Sequence, residues 1–111
     1  MPVRYSSVNL LGMYSHIVIF WTKPEKPNAA EELIAGAERY LKTIPGILHF
    51  HVGKMVSSPR PVVDSSYQVG LNVVFPSKQV REEYRAHSLH KQFEEEVLKQ
   101  TYQRCVVYDF E

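Results

Sequence analysis

The apolar residues of this chain follow two different periods, and the order of those periods restricts the fold more than any single residue does. Alternating or β-branched runs, which are typical of strands, lie at residues 16–21, 47–56, 67–75 and 104–110. Apolar residues spaced three and four apart, which are typical of amphipathic helices, mark residues 28–44, and a second helical region is expected at residues 77–102. The sequence therefore predicts the order strand, helix, strand, strand, helix, strand.

Capping and breaking residues mark where the two helices begin and end. Asn28 followed by Glu31 has the spacing of a reciprocal N-terminal cap, and the Pro-Gly pair at residues 45–46 ends the first helix. Ser77 is placed to cap the second helical region. That region is expected to bend near residues 87–88, where Ser88 is placed to cap a new turn.

This order of elements is that of the split βαβ, ferredoxin-like fold. It is an α+β architecture, βαββαβ, in which both helices pack on one face of a four-stranded antiparallel sheet. The other face also needs a cover, because the first strand is apolar on both sides. Along it His16, Val18 and Phe20 alternate with Ile17, Ile19 and Trp21. A second subunit packed sheet to sheet is the common cover, so we expect a homodimer.

Length and composition fit one compact domain. The chain has 111 residues, of which 44% are hydrophobic and 23% charged, so a core can form without disulfides. The single cysteine, Cys105, has no partner for a bridge or a zinc motif, which favours a reducing compartment and makes the cytosol the expected location. We expect Cys105 to be a small buried hydrophobe on the last strand.

Charge and hydropathy argue against two classes of partner. The formal net charge is +1, with acidic and basic residues interspersed, whereas nucleic-acid binding requires a concentrated basic surface. The apolar stretch at residues 8–11 is too short for a signal-peptide core or a membrane span. We therefore expect no nucleic-acid partner, no export and no membrane insertion. Residues 1–14 are assigned to an N-terminal extension that precedes one domain at residues 15–111.

Two of the five histidines stand beside a tyrosine in the second helical region. The pattern is Tyr84-x-x-His87-x-x-His90-x-x-Phe93. Imidazole titrates nearest to neutral pH, so a histidine beside a phenol can exchange protons with a bound molecule. Tyr84 and His90 are nearly two helical turns apart, so their side chains converge only if the helix bends between them. If His90 is partly desolvated, its pKa falls and it accepts a proton near pH 7.

Four segments, taken in order, resemble the stress-responsive dimeric α/β-barrel (Dabb) family. They are His-Ile-Val-Ile-Phe at residues 16–20, Ile-Pro-Gly-Ile at residues 44–47, the Tyr84 to Phe93 pattern, and Cys-Val-Val-Tyr-Asp-Phe at residues 105–110. The resemblance covers nearly the whole domain. It implies a dimer in which the sheets of two subunits form a barrel, with a cavity between sheet and helices in each subunit.

The resemblance also implies candidate site residues. Function in the family is mostly undefined, but the family includes a cofactor-independent plant polyketide cyclase that uses a cavity histidine and tyrosine for an intramolecular aldol condensation. His90 and Tyr84 match that pair, and His16 matches another cavity histidine on the first strand. Two other cavity positions differ, since this chain has Ala37 where the cyclase has a tyrosine and Val69 where it has a histidine.

The leading hypothesis is a homodimer that binds a small apolar or aromatic molecule in this cavity, without a metal or organic cofactor. In its catalytic form, His90 is the base and Tyr84 hydrogen-bonds a developing oxyanion, while His16, His87 and Phe93 contact the substrate. Each residue also has a structural interpretation. Tyr84 can close the edge of the core, His90 can donate to a backbone carbonyl, and His87 can end a helix near its last carbonyls.

Two other functions fit the sequence less well. One is a non-catalytic, stress-associated structural or binding protein whose histidines serve packing and assembly. The other is a haem-degrading or quinone-type monooxygenase of the same fold, a class that uses Asn, Trp and His, although Trp21 and Asn72 stand here in a different chain order. His49 and His51 have a metal-binding spacing but need a third ligand from another strand, and we predict no metal site.

Overall fold

A computed structural model describes residues 12–111 of the chain. These residues form four strands that make one antiparallel sheet in the order β2-β3-β1-β4. The strands are β1 (Tyr14–Thr22), β2 (His49–Lys54), β3 (Val69–Phe75) and β4 (Tyr102–Phe110). The βαββαβ order and the ferredoxin-like sheet are those that the sequence predicts. Most of the predicted N-terminal extension, residues 1–11, lies outside the described residues.

The helical segments cover one face of this sheet. Helix α1 (Ala29–Gly36) continues directly into a π-helical turn (Ala37–Leu41), and the chain then turns through Gly46, whose φ of 95° lies in the left-handed region that favours glycine. Helix α2 (Lys78–Ala86) is followed by α3 (Ser88–Phe93), which runs on through a π-helical turn (Glu94–Leu98) and a last helical turn (Lys99–Thr101). The Pro-Gly stop and the bend near residues 87–88 are thus confirmed.

The predicted strand limits need small corrections, because strands extend only as far as their partners do. β1 begins at Tyr14, inside the predicted extension, since Tyr14 pairs with Phe75 of β3. β2 is shorter than the predicted 47–56, because its pairing with β3 ends at Lys54. β3 begins two residues later than predicted, at Val69, where pairing with both neighbouring strands starts.

Two of the three predicted helix caps are wrong. Ser77 does cap α2, since its Oγ accepts a hydrogen bond from the backbone N–H of Val80 at 3.3 Å. Asn28 makes no side-chain cap, because its backbone (φ −100°, ψ 14°) is not in the extended conformation that directs a cap side chain at the first turn. His87, not Ser88, caps α3: its Nδ1 accepts from the backbone N–H of Leu89 at 3.1 Å.

The core lies between the helices and one face of the sheet. Strand residues of even number in β1 and odd number in β3 point into it, as the period of two requires. The buried cluster includes Val18, Phe20, Leu33, Leu41, Val69, Leu71, Val73, Phe75, Tyr84 and Phe93. Gly36 of α1 lies so close to Val97 that a Cβ there would clash with the valine side chain. The close approach holds α1 against the helical segment that follows α3.

The opposite face of the sheet, here called the open face, has no helical cover in the described chain. Ile17, Ile19 and Trp21 of β1 are only half-buried there. Tyr108 and Phe110 of β4 are exposed on the same face, with Tyr108 at 58%. The predicted apolar character of both faces of β1 is therefore confirmed.

The prediction that Cys105 is buried is wrong. Cys105 is exposed rather than buried, because β4 is an edge strand and the helices do not cover its outer side.

Among residues 12–111, no helix has the length and apolar character needed to cross a bilayer.

Candidate active site

A cavity of about 300 Å³ lies between the helix-covered face of the sheet and the α2–α3 bend. Its walls are mainly apolar, and polar side chains from β1, α2 and α3 also line it. Residues from β1, α2 and the α3 segment line it, among them His16, Val18, Phe20, Arg81, Tyr84, Arg85, His90, Phe93 and Glu94. Of the five predicted site residues, His16, Tyr84, His90 and Phe93 surround this one cavity.

The bend at His87 is what brings the predicted pair together. The backbone of His87 is extended (ψ 145°), so α3 sets off in a new direction from the end of α2. The rings of Tyr84 and His90 consequently meet edge to face, with centroids 5.0 Å apart. The His16 ring lies 6.1 Å from that of Tyr84. Three groups far apart in sequence therefore face one small space.

The structure does not bring His87 to this space. His87 is not among the residues that line the cavity, and its Nδ1 is occupied by the Leu89 backbone N–H. The predicted contact between His87 and a substrate is therefore not supported by the geometry. The residue instead has a structural role between the two helices. An extended residue between two helices needs a side-chain acceptor for the next free N–H, and imidazole supplies it here.

Tyr84 is a buried phenol whose hydroxyl finds no hydrogen-bond partner among residues 12–111. The side chain is only 1% exposed. Burial raises the pKa of Tyr84 well above its ordinary value, so the phenol is neutral and able to donate. A buried hydroxyl without a partner costs folding free energy, which marks Tyr84 as a group available to a ligand.

His90, which also lines the cavity, carries a second buried polar atom without a hydrogen-bond partner in the described chain. Its Nδ1 is buried, and the nearest carboxylate oxygen, Glu94 Oε2, lies 3.5 Å away without forming a hydrogen bond. Burial lowers the pKa of His90 and outweighs the opposing effect of Glu94. The imidazole is therefore neutral at pH 7 and can accept a proton. The alternative in which His90 donates from this atom to a backbone carbonyl has no acceptor within the described chain.

His16 is held by a pair that the sequence analysis did not identify. Its Nδ1 lies 2.6 Å from Asp109 Oδ1, and Arg81 Nη2 donates to Asp109 Oδ2 at 2.9 Å. Burial, together with the nearby Arg81 and Arg85 charges, lowers the pKa of His16 despite the opposing effect of the Asp109 carboxylate. Burial also opposes ionisation of Asp109, but the His16 hydrogen bond and Arg81 outweigh it and lower the pKa of Asp109. A neutral His16 donating from Nδ1 has Nε2 as its proton acceptor.

A signal for both missed residues was present in the sequence. Asp109 alternates with Val107 and Cys105 along the last strand, and an antiparallel register with β1 sets Asp109 opposite His16. Arg81 precedes Tyr84 by three residues, so the two share one face of α2. Asp109 stands in the last family-like segment, residues 105–110, but its partner on β1 depends on the register between the two strands.

The residues behind the two less favoured chemistries lie elsewhere. His49 and His51 point to the open face of β2, and among residues 12–111 no three His, Cys, Asp or Glu side chains are grouped as metal ligands. Trp21 and Asn72 also point to the open face, where Trp21 Nε1 donates to Ser66 Oγ at 3.1 Å. The sheet therefore separates the tryptophan and asparagine from the cavity histidines.

Solved structures of similar fold include a ferredoxin-like Dabb family protein from Mesorhizobium loti. It is 23% identical, with a TM-score of 0.74, over 90% of this chain and 96% of that one. A dimeric protein of unknown function from Bacteroides fragilis is 20% identical, with a TM-score of 0.72 and the same coverage. A hydroxynitrile lyase from Passiflora edulis is 16% identical, with a TM-score of 0.69, over 89% of this chain and 92% of that one.

These likenesses establish the fold, and the sequence itself establishes the family. No protein of curated function matches the chain. The model of the stress responsive A/B barrel domain, however, matches residues 15–111. These include the four strands except Tyr14, the first residue of β1, together with all the helical segments and the whole cavity. The chain therefore belongs to the stress responsive A/B barrel domain (Dabb) family.

Proposed function

We propose that the cavity binds a small, mostly apolar or aromatic carbonyl compound and moves a proton on it without a metal or organic cofactor. One observation supports this above all others. Tyr84 and His90 both line the cavity, each carries a buried polar atom without a hydrogen-bond partner in residues 12–111, and their rings are 5.0 Å apart. A fold that needed them only for packing would gain by replacing both with apolar groups.

The proposed chemistry is acid–base catalysis of the aldol type. The neutral His90 ring takes a proton from the carbon next to the carbonyl group, and the electron pair of the broken C–H bond moves onto the carbonyl oxygen. Tyr84 donates a hydrogen bond to that oxygen as it becomes an enolate. The enolate carbon can then attack a second carbonyl of the substrate, and the proton on His90 returns to the new alkoxide. His16, oriented by Asp109, is the second proton acceptor at the cavity.

The rest of the cavity suits such a substrate. Its volume of about 300 Å³ lies at the small end of the range of ligand pockets. Val18, Phe20, Leu71 and Phe93 supply apolar walls that exclude water and bind an aliphatic or aromatic body. The low-polarity surroundings also strengthen the hydrogen bond from Tyr84 to a developing negative charge.

The molecule is proposed to act as a homodimer in the cytosol. The neighbour from Bacteroides fragilis is described as dimeric, and the open face carries apolar side chains such as Ile17, Ile19 and Phe110 that a second sheet would bury. The cytosol remains the expected compartment on the ground of the single cysteine, Cys105.

The second candidate is a binding protein without catalysis, and one measurement separates the two. Proton abstraction is followed by NMR as deuterium uptake at the α-carbons of phenylacetone in D₂O, and binding is followed by the thermal unfolding midpoint. We expect the wild type to accelerate uptake, and His90→Gln to reduce it by about a hundredfold or more. His49→Gln, which changes a histidine on the open face, is the matched control and is expected to keep the wild-type rate.

The outcomes assign the function. Binding without deuterium uptake, for phenylacetone and for a panel of aromatic and aliphatic ketones, would replace catalysis with ligand carriage. A wild type that neither binds nor exchanges any of these compounds would refute the proposed function. A cyanohydrin belongs in the panel, because a hydroxynitrile lyase shares this fold.

A further inference from the structure

The Arg81 guanidinium lies at the cavity wall, and not all of its N–H donors have acceptors. Its side chain is 13% exposed and lines the cavity. Arg81 Nη2 donates to Asp109, and Nη1 lies 3.9 Å from Glu82 Oε2, beyond hydrogen-bond range. Arg81 Nε is buried and has no partner in the described chain. The proposed aldol chemistry gives this nitrogen no role.

A buried guanidinium nitrogen without a hydrogen-bond partner lowers the stability of the fold more than an unpartnered nitrogen of a neutral group does. Arginine is always protonated, and a buried charged donor without an acceptor costs more than a neutral one. Asp109 does not supply an acceptor for Arg81 Nε. Its Oδ1 is hydrogen-bonded to His16, and its Oδ2 accepts from Nη2 of Arg81. Arg81 therefore brings to the cavity wall a guanidinium nitrogen that hydrogen-bonds to no carboxylate of residues 12–111.

The position of Arg81 relative to Tyr84 defines where an anion would lie. The two residues are three apart on α2, so their side chains leave the same helix face about one turn apart. Both end in buried donors without partners, and Arg85 adds a positive charge to the cavity wall. An acidic group bound at Arg81 would leave Tyr84 and His90 free to act on another part of the same molecule.

We propose that the ligand of this cavity carries a carboxylate and that Arg81 Nε–H binds it, so that Arg81 determines the substrate class. This inference rests on the proposed function, because it adds an acidic group to the small carbonyl compound described above. A carboxylate matches a guanidinium in charge and in planar geometry. A phosphate dianion fits less well, because the Asp109 and Glu94 carboxylates near the same donors would repel its second charge.

Two probes that differ only in charge test the proposal. We would measure the binding of 3-phenylpropanoate and of 3-phenylpropanamide to the wild-type protein by titration calorimetry, and of phenylacetone in parallel. The carboxylate is expected to bind about ten- to a hundredfold more tightly than the amide, the range for a hydrogen bond to a charged group. Arg81→Gln is expected to abolish that preference.

Matched variants separate a directed contact from a change in net charge. Arg39→Gln removes one positive charge from the exposed side of the π-helical turn after α1, away from the cavity, and is expected to keep the full preference for the carboxylate. Arg81→Lys keeps the charge without the guanidinium and is expected to lose most of the preference. The wild-type comparison stands by itself if an Arg81 variant fails to fold.

The possible failures are distinguishable. Equal affinity for carboxylate and amide in the wild type, with phenylacetone bound, would overturn the carboxylate inference and leave the proposed function standing. Tighter binding of inorganic phosphate than of 3-phenylpropanoate would overturn the choice of a carboxylate. Absence of binding by all three organic probes would overturn the inference, and if the ketone panel also neither bound nor exchanged, the proposed function would fall with it.

Discussion

The two faces of the sheet come from the same four strands but are built for different purposes. On the helix-covered face, the chain buries polar groups such as Tyr84 and His90 that have no partner among the described residues. On the open face, it exposes large apolar groups such as Tyr108 and Phe110. Soluble proteins normally avoid both arrangements. Each arrangement is typical of a surface that binds a partner. Unpartnered polar atoms favour a polar ligand, and exposed apolar side chains favour an apolar surface.

If the proposals above hold, the two faces take chemically different partners. A small cavity with two or three unpartnered polar atoms suits a molecule that supplies matching polar atoms. A broad apolar surface, where the Arg104 guanidinium stacks over Trp21 at 4.1 Å from the ring centroid, suits another protein surface. The period of two along β1 maintains the separation, since a shift of one residue would move His16 to the open face.

A charge introduced on the open face should have the largest effect. Ile17→Glu would bury an unpaired carboxylate at the centre of the proposed dimer contact, and we expect the dimer to weaken by about 3 kcal/mol or more, over a hundredfold in Kd. Sedimentation equilibrium against protein concentration measures it. Val62→Glu is the matched control, because Val62 is 78% exposed in the loop between β2 and β3. If both variants dimerise like the wild type, the open face is not the contact.

Loss of the Asp109 carboxylate should have the next largest effect, and it acts on the cavity face. Asp109→Asn breaks a partly buried bridge that joins β4 to His16 of β1 and Arg81 of α2. We expect the free energy of unfolding to fall by about 1–3 kcal/mol, measured with urea. Glu31→Gln removes an ion pair with Lys54 in which both side chains are more than half exposed, and its effect should be clearly smaller because solvent screens the pair. Equal costs would contradict the structural importance of the bridge.

The pH dependence of stability should report the two cavity histidines. Burial lowers the pKa of His16 and of His90 in the folded state, so the unfolded chain takes up protons first as the pH falls. Stability is therefore complete above about pH 6.5 and declines below it, by no more than about 1.4 kcal/mol per pH unit for each histidine. Urea unfolding between pH 7.5 and 5 measures the slope. His90→Gln should make the slope shallower, and an unchanged slope would show that His90 is not protected from protonation.

The fold followed from the sequence because it depends on local periods, whereas the cavity was an expectation from the family resemblance. Alternation along β1 placed His16 with Val18 and Phe20, and the expected bend near residues 87–88 brought Tyr84 to His90. These relations need only the geometry of one strand or one helix. The roles of the residues are another matter, since geometry shows which groups meet and not what they do.

The parts that sequence reasoning missed depend on the register between elements. Asp109 matters because it faces His16 across two strands, and Arg81 matters because it reaches that aspartate from α2. Cys105 was expected to be buried from its residue type, but exposure depends on β4 being an edge strand that the helices leave partly uncovered. Asn28 had the right spacing for a cap, but its backbone conformation was set by the preceding turn.

The smallest expected effect compares two buried tyrosines that differ in one hydrogen bond. Tyr40 donates from its hydroxyl to Glu96 Oε1 at 2.7 Å, whereas the Tyr84 hydroxyl has no partner in residues 12–111. Tyr40→Phe should lower the free energy of unfolding, because it removes a hydrogen bond, while Tyr84→Phe should leave it unchanged or raise it by up to about 1 kcal/mol. Urea unfolding of both variants at pH 7 measures the difference. If Tyr84→Phe loses as much stability as Tyr40→Phe, the Tyr84 hydroxyl serves the fold; if it does not, the chain retains a hydroxyl that its own stability does not require, as expected for a group that binds a ligand.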